Sequence, residues 1–381
     1  MLRSKLPDVG LSIFSKMSQL AAEHGAVNLS QGFPSFECDA RLFDLVHHHM
    51  RAGHNQYAPM TGVAALRQLI AHKATTLYDC RLDADAHINI TAGATQAIFT
   101  IISTVVRSGD EVLVIDPAFD CYRPAIALQG AVVVPYALTA PDFRIDWEAF
   151  GRLITPRTRL IILNTPHNPT GMVMNAEDMW ALAHLVADTD ILLLSDEVYE
   201  HMVFDGRPHE SVLRYPELWD RSFAVFSMGK TFHVTGWKVG YCVAPERLMR
   251  EFRKVHQYNV FSVNTPVQYA LADYMKDPST WQGISGMYEQ KRDYFKAQLQ
   301  DSALTALACE GTYFVLIDYS ALSDKPDVEF AEWLTREIGV AAIPISVFYG
   351  DRRDDRILRF CFAKTPQELH AAGQRLSKLH S

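Results

Sequence analysis

The 381-residue chain sets 36 lysines and arginines against 44 aspartates and glutamates, a formal net charge of -8, and is 48% hydrophobic and 21% charged. That balance excludes a disordered chain and lacks the concentrated basic charge that a nucleic-acid surface needs. Six widely spaced cysteines (Cys38, Cys80, Cys121, Cys242, Cys309, Cys361) form no CxxC pair, which argues against a zinc ribbon or a disulfide framework.

In chain order, a short helix is expected over Ile13–His24, followed by a loop, with no sheet of its own in the first forty residues. His47-His-His-Met-Arg-Ala-Gly-His54 gathers histidines, but ligands on a helix want i,i+3 or i,i+4 spacing, and adjacent ones point apart. No metal is expected. Seven short apolar runs follow: Ile88–Ile90, Glu111–Ile115, Ala131–Val134, Leu160–Leu163, Ile191–Leu194, Phe223–Phe226 and Val239–Val243. Runs without alternation suit strands buried on both faces, as in a parallel sheet covered by helices. Between the first two lies Thr95–Arg107, with Ile98, Ile101, Ile102 and Val105 at helical spacing and Gly109 as a stop. The alternation predicts an α/β domain over residues 45–280. The last hundred residues predict a smaller α+β domain, with strands over Thr312–Asp318, Ala341–Ile345 and Arg356–Phe362 and a helix over Val328–Ile338. Residues 1–44 are expected to join 281–381 in it. No apolar run reaches membrane-spanning length, and MLRSKLPDVGLSIFSK has no apolar signal core, so a cytoplasmic location and no membrane partner are expected.

Ligands of open parallel sheets bind beyond the carboxyl ends of the strands. After Ile90 comes Thr91-Ala-Gly-Ala-Thr-Gln96, a small-residue turn into a helix whose free N–H groups would bind an anion. After Leu163 comes Asn164-Thr-Pro-His-Asn-Pro-Thr-Gly171; after Leu194 come Ser195, Asp196, Glu197 and Tyr199; after Phe226 come Ser227 and Lys230. Each has a bland alternative: helix start, turn chemistry, helix cap, surface lysine. Their common position at successive strand ends weakens all four.

Lys230 admits three chemistries. A phosphate-wrapping G-x-x-x-x-G-K-[ST] loop needs a glycine where Ala224 stands, inside an apolar run. A Ser227-x-x-Lys230 acyl-enzyme pair needs downstream S-D-N and K-T-G elements that are missing. A Schiff-base lysine remains, its amine made nucleophilic by desolvation and by a second cation such as Lys238.

Asn164-x-Pro-x-Asn-Pro-Thr-Gly171, Ser195-Asp-Glu-Val-Tyr199 and Ser227-x-x-Lys-x-x-x-x-x-Gly-Trp-Lys-x-Gly240 resemble the signatures of class I/II aminotransferases, over essentially the whole chain and in order. Val27-Asn-Leu-Ser-Gln-Gly-Phe-Pro34, Asn55-Gln-Tyr57, Asp116-Pro-Ala-Phe-Asp-Cys-Tyr122 and Leu358–Phe362 are similar to the methionine, kynurenine and glutamine branch. The resemblance implies a pyridoxal 5′-phosphate (PLP) enzyme of fold type I, with a mostly parallel seven-stranded sheet covered by helices, a smaller domain from both termini, and a homodimer. It implies that Lys230 holds PLP and moves a proton, that Asp196 pairs with the pyridine nitrogen, and that Tyr199 and Asn168 bond the ring oxygen, with Asn164 nearby. Phe119 would stack on the ring. Ala94, Thr95, Ser227 and Lys238 would hold the phosphate, with Tyr57 reaching it from the partner subunit. Lys238 stands where many relatives have arginine and offers a point charge without the fork. Arg359 would clamp the substrate carboxylate. Asn168, Gly32, Phe14, Phe33, Phe119 and Phe261, the last from the neighbouring subunit, match substrate positions. The implied reaction is a ping-pong transfer from methionine, aromatic or similar amino acids to a 2-oxo acid. Kynurenine–oxoglutarate transamination and a cysteine-conjugate carbon–sulfur β-lyase are alternatives. A PLP-binding regulator is disfavoured, for want of a basic segment to bind DNA.

Overall fold

The computed structural model describes residues 3–7 and 9–380. Its centre is a seven-stranded sheet: β1 (Ile88–Thr91), β2 (Glu111–Asp116), β3 (Val132–Ala137), β4 (Thr158–Asn164), β5 (Leu192–Asp196), β6 (Ser222–Ser227) and β7 (Gly240–Val243). In space the order is β1-β7-β6-β5-β4-β2-β3. All neighbours are parallel except at β7, which runs against both β1 and β6. All seven expected runs are therefore in one sheet.

Why these runs need no alternation is visible in the packing. Along β2, β4 and β6, Val112, Val114, Leu160, Ile162, Phe223 and Val225 join one hydrophobic cluster. Their neighbours Leu113, Ile115, Ile161, Leu163, Ala224 and Phe226 join another on the opposite face. Period-two side chains on a strand covered on both sides are apolar throughout. The exception is β3, an edge strand whose Val132 is exposed, because only one edge and part of each face are covered. Among the described residues no helix is long and apolar enough to cross a membrane.

A second, antiparallel sheet has the order Ile343–Pro344, Ile357–Cys361, Phe314–Asp318, Thr305–Ala306. The expected strand over Ala341–Ile345 is two strands serving two sheets. Val340–Ala341 pairs in parallel with Val27–Asn28, whereas Ile343–Pro344 pairs with Leu358 and Arg359. Pro344 has no N–H to give a further strand, and it stands at the sheet's edge, where that costs nothing. Val27–Asn28 adds a short strand to the first forty residues, but its partner is Val340–Ala341, so they hold no sheet of their own. The expected helix over Val328–Ile338 is an α-helix over Asp327–Trp333 that widens to π geometry over Leu334–Ile338.

Candidate active site

The carboxyl ends of β1, β4, β5 and β6 open on one cavity of about 230 Å³. Its lining includes Ala94, Thr95, Phe119, Asn164, Asn168, Asp196, Tyr199, Ser227, Lys230 and Lys238. Lys238 reaches it because β7 runs backwards, so the residues before β7, rather than after it, lie at the carboxyl ends of its neighbours. Gly240 makes that approach close: a Cβ there would stand 2.7 Å from the Phe226 carbonyl and 3.0 Å from Ala94 N.

At one end of the cavity, the helix Ala94–Val105 begins at Gly93 with no side chain capping it. Its first N–H groups and the positive end of its dipole face an anion site, and Ser227 and Lys238 line the same space. At the other end is Asp196, the last residue of β5. Tyr122 donates to its Oδ2 at 2.6 Å, while Oδ1 has only a 3.4 Å contact with Val198 N–H. One carboxylate oxygen is thus secured and the other is left for a partner. Burial raises this acid from its ordinary 3.8 to about 6, although the Tyr122 hydrogen bond opposes the shift.

Lys230 stands in the short helix Met228–Thr231, capped by Ser227 Oγ on Lys230 N at 3.3 Å. Its ammonium donates to Tyr313 Oη at 2.7 Å and to the Gly32 carbonyl at 3.1 Å. Burial lowers it from 10.5 to about 8; Arg359 adds to the fall more than Lys238 does, while Cys361 and Asp196 oppose it. The expected helper cation is thus mainly Arg359, brought from the other sheet, with Lys238 the lesser one.

Arg359 is 1% exposed in the middle of Ile357–Cys361. Nη1 donates to Asn168 Oδ1 at 2.7 Å, Nη2 to the Ser30 carbonyl at 3.3 Å, and buried Nε has no partner among the described residues. The rings of Phe314, Phe14 and Phe348 lie 3.9, 5.2 and 5.2 Å from its guanidinium carbon. Burial lowers it from 12.5 to about 10. A buried cation that meets only neutral oxygens and aromatic faces is set up for an incoming anion.

The remaining expected residues fall in different places. Asn164 turns its amide inward: Nδ2 donates to the Asp196 carbonyl at 2.8 Å and Oδ1 accepts from Asn168 N–H at 2.8 Å, so it shapes the Asn164–Gly171 turn. Gly32 presents its carbonyl to Lys230. Phe14 lines an adjoining cavity of about 690 Å³ with Phe348 and Val347. Phe33 lines neither cavity: it is 45% exposed, with Lys364 Nζ 5.0 Å from its ring. Tyr57 and Phe261 are 83% and 44% exposed, their ring centres 5.5 Å apart, and neither lines the Lys230 cavity.

Sequence reasoning did not assign Tyr122, Tyr313, Phe314 or Phe348 to the site. Tyr122 had a signal, since it ends Asp116–Tyr122, three residues after Phe119. Tyr313 had none; it is 83 residues from Lys230.

The chain matches the family model for aminotransferase class I and II over residues 25–376. It is 53% identical over 378 residues to the methionine aminotransferase of Escherichia coli K12, covering 99% of this chain and 98% of that one. It is 33% identical over 410 residues to a kynurenine–oxoglutarate transaminase of Dictyostelium discoideum, covering 97% and 94%. The crystal structure of YbdL from Escherichia coli, for which a methionine aminotransferase function is identified, superposes with a TM-score of 0.98 at 52% identity and full coverage of both chains. By sequence and by structure the chain belongs to the class I and II aminotransferases, enzymes that act on amino acids and 2-oxo acids.

Proposed function

We propose that this aminotransferase uses PLP and moves the amino group of methionine, or of an amino acid with a similarly apolar side chain, to a 2-oxo acid. The observation that carries the reading is one cavity with an uncapped helix start at one end, a half-satisfied carboxylate at the other, and a buried amine in its wall. A phosphate, a ring N–H and an aldehyde are the groups that such a set fits, in that order. Bound PLP supplies the electron sink that lets a Cα–H bond break heterolytically.

The chain's residues divide the work. Ala94 and Thr95 N–H, Ser227 and Lys238 hold the phosphate, and Phe119 covers the ring. Asp196 keeps the ring nitrogen protonated through its free oxygen, while Tyr199 and Asn168 address the ring oxygen. Lys230 is the amine that would hold the aldehyde, and it would be the base that takes and returns the Cα proton. An amine near 8 is partly neutral at physiological pH, as a base requires. Arg359 binds the α-carboxylate from a fixed position, because Asn168 and Ser30 already orient its fork.

The apolar walls at Phe14, Phe119 and Phe348 favour methionine over a dicarboxylic amino acid. The E. coli relative supports the same donor. Exposed Tyr57 and Phe261 fit a homodimer in which each subunit completes the other's site. The division into 45–280 and 1–44 with 281–381, and a cytoplasmic location, belong to the same proposal.

Purified, PLP-loaded protein given methionine and a 2-oxo acid should yield the 2-oxo acid of methionine, with kcat/KM at least about tenfold above that for aspartate. Lys230→Ala should lower it about 10⁴-fold. A preference for aspartate would overturn the donor assignment. Pyruvate and ammonia released from a cysteine conjugate without any acceptor would favour the β-lyase.

A further inference from the structure

Tyr313 has no part in the roles above, yet its hydroxyl lies against the reacting amine. Lys230 Nζ donates to Tyr313 Oη at 2.7 Å and to Gly32 O at 3.1 Å, and Tyr313 Oη donates to the same carbonyl at 2.7 Å. Three groups from residues 32, 230 and 313 close a triangle. The phenol is fully buried, edge-on to Tyr199 at 5.2 Å and to Phe314 at 4.8 Å. Burial pushes it well above its ordinary value of 10.0, so it stays a neutral hydroxyl with one O–H to give. That O–H is spent on Gly32, which leaves Tyr313 only a lone pair to offer Lys230.

We propose that Tyr313 is a positioning residue for Lys230: with the Gly32 carbonyl it forms a two-acceptor seat that holds the ε-amino group by its N–H bonds and leaves the nitrogen's lone pair free to accept a proton. The inference rests on the reading of Lys230 as the base. A neutral amine has two N–H bonds and one lone pair. With both N–H bonds on Tyr313 and Gly32, the lone pair points away from both oxygens. When the Cα–H bond breaks, its electron pair stays with the substrate and a third N–H bond forms on Lys230, making the ammonium that later gives the proton back. Without the seat, a side chain with four rotatable bonds spreads over several rotamers and loses that alignment. Gly32 packs close to the same segment: a Cβ on it would stand 2.8 Å from the ring of Phe314, the residue next to Tyr313, so no larger residue fits there.

Tyr313→Phe removes the oxygen and keeps the ring. In PLP-free protein, acetylation of Lys230 across a pH series, read by peptide mass, should show its midpoint fall by about one unit, because the ammonium loses an acceptor. In the PLP-loaded enzyme, kcat with methionine should fall about 10- to 100-fold with KM within about threefold. The isotope effect from Cα-deuterated methionine should rise as proton transfer becomes limiting. Replacing Tyr313 with 3-fluorotyrosine keeps the shape and weakens the acceptor, so both shifts should keep their sign and shrink. If Tyr313→Phe does not fold, the fluorinated protein decides by the same readings. An unchanged midpoint together with an unchanged isotope effect overturns the seat. A shifted midpoint beside normal turnover in Lys230→Ala keeps the seat and overturns Lys230 as the base.

Discussion

Asp196 and Glu200 leave the end of β5 four residues apart, and both are buried, but their surroundings treat the charge in opposite ways. Glu200 is met on every side: Lys73 and Tyr78 bond its two oxygens and Tyr241 adds a 3.3 Å hydrogen bond. Burial alone would raise this acid, but Lys73, His201 and the hydrogen bonds outweigh it and bring it from 4.5 to about 2. Glu197 between them is satisfied too, by Ser195, His209 and Val212 N–H. Asp196 has one firm bond, and among the described residues no carboxylate stands against the cations beyond it, Lys230 and Arg359. Burial therefore prevails there, raising the acid and lowering both bases. The first cluster is an ion pair that holds the β5 end to the helix Ala64–Tyr78: burial lowers the Lys73 amine there as well, but its contact with Glu200 at hydrogen-bond distance keeps the pair closed, whereas the second is left open for groups that the chain itself does not supply.

The contrast is tested most strongly by removing the lysines one at a time. Lys73→Met leaves Glu200 buried and unpaired, and should cost about 3–5 kcal/mol of stability. Lys230→Met removes a buried ammonium that has no counter-charge, and should leave the melting temperature of the PLP-free protein unchanged or raise it. Equal losses in the two variants, measured by calorimetry, would erase the distinction.

Stability against pH separates the two acids by sign. Asp196 binds its proton more tightly folded (about 6) than unfolded (3.8), so its contribution is fully present below pH ~4 and is lost as pH rises to about 6. The loss should approach about 3 kcal/mol. Glu200 works the other way: its contribution is present above about 4.5 and is lost as pH falls toward 2. Melting of PLP-free Asp196→Asn between pH 4 and 6.5 should lack the downward slope that Asp196 gives the parent. A slope that survives the substitution would assign it elsewhere.

The smallest effect concerns Tyr122. Tyr122→Phe frees Asp196 Oδ2, raises that acid further, and should weaken PLP binding about tenfold. Equilibrium dialysis is the measurement, and an unchanged affinity would leave Tyr122 a packing residue. The acid limb of the kcat/KM profile should move to higher pH in the same variant, because a protonated Asp196 cannot hold the ring proton.

The seven strands are legible in the residues alone, because each is a continuous apolar run with a polar turn behind it. So is what stands at their carboxyl ends, because Asn168, Asp196, Tyr199, Ser227 and Lys230 each end their strand or follow it within a few residues. Local order carries that information. Tertiary structure alone decided which acid of Asp196-Glu-Val-Tyr-Glu200 meets a cation, since Lys73 arrives from more than a hundred residues away. It also decided that Arg359, which reads as an ordinary strand arginine, is buried against Asn168 across 191 residues, and that Tyr313 reaches Lys230. Such pairings depend on how two separate sheets pack, and no local periodicity encodes that. The expected depression of Lys230 by desolvation and by Lys238 is present, and the same packing adds Arg359 as the stronger of the two cations.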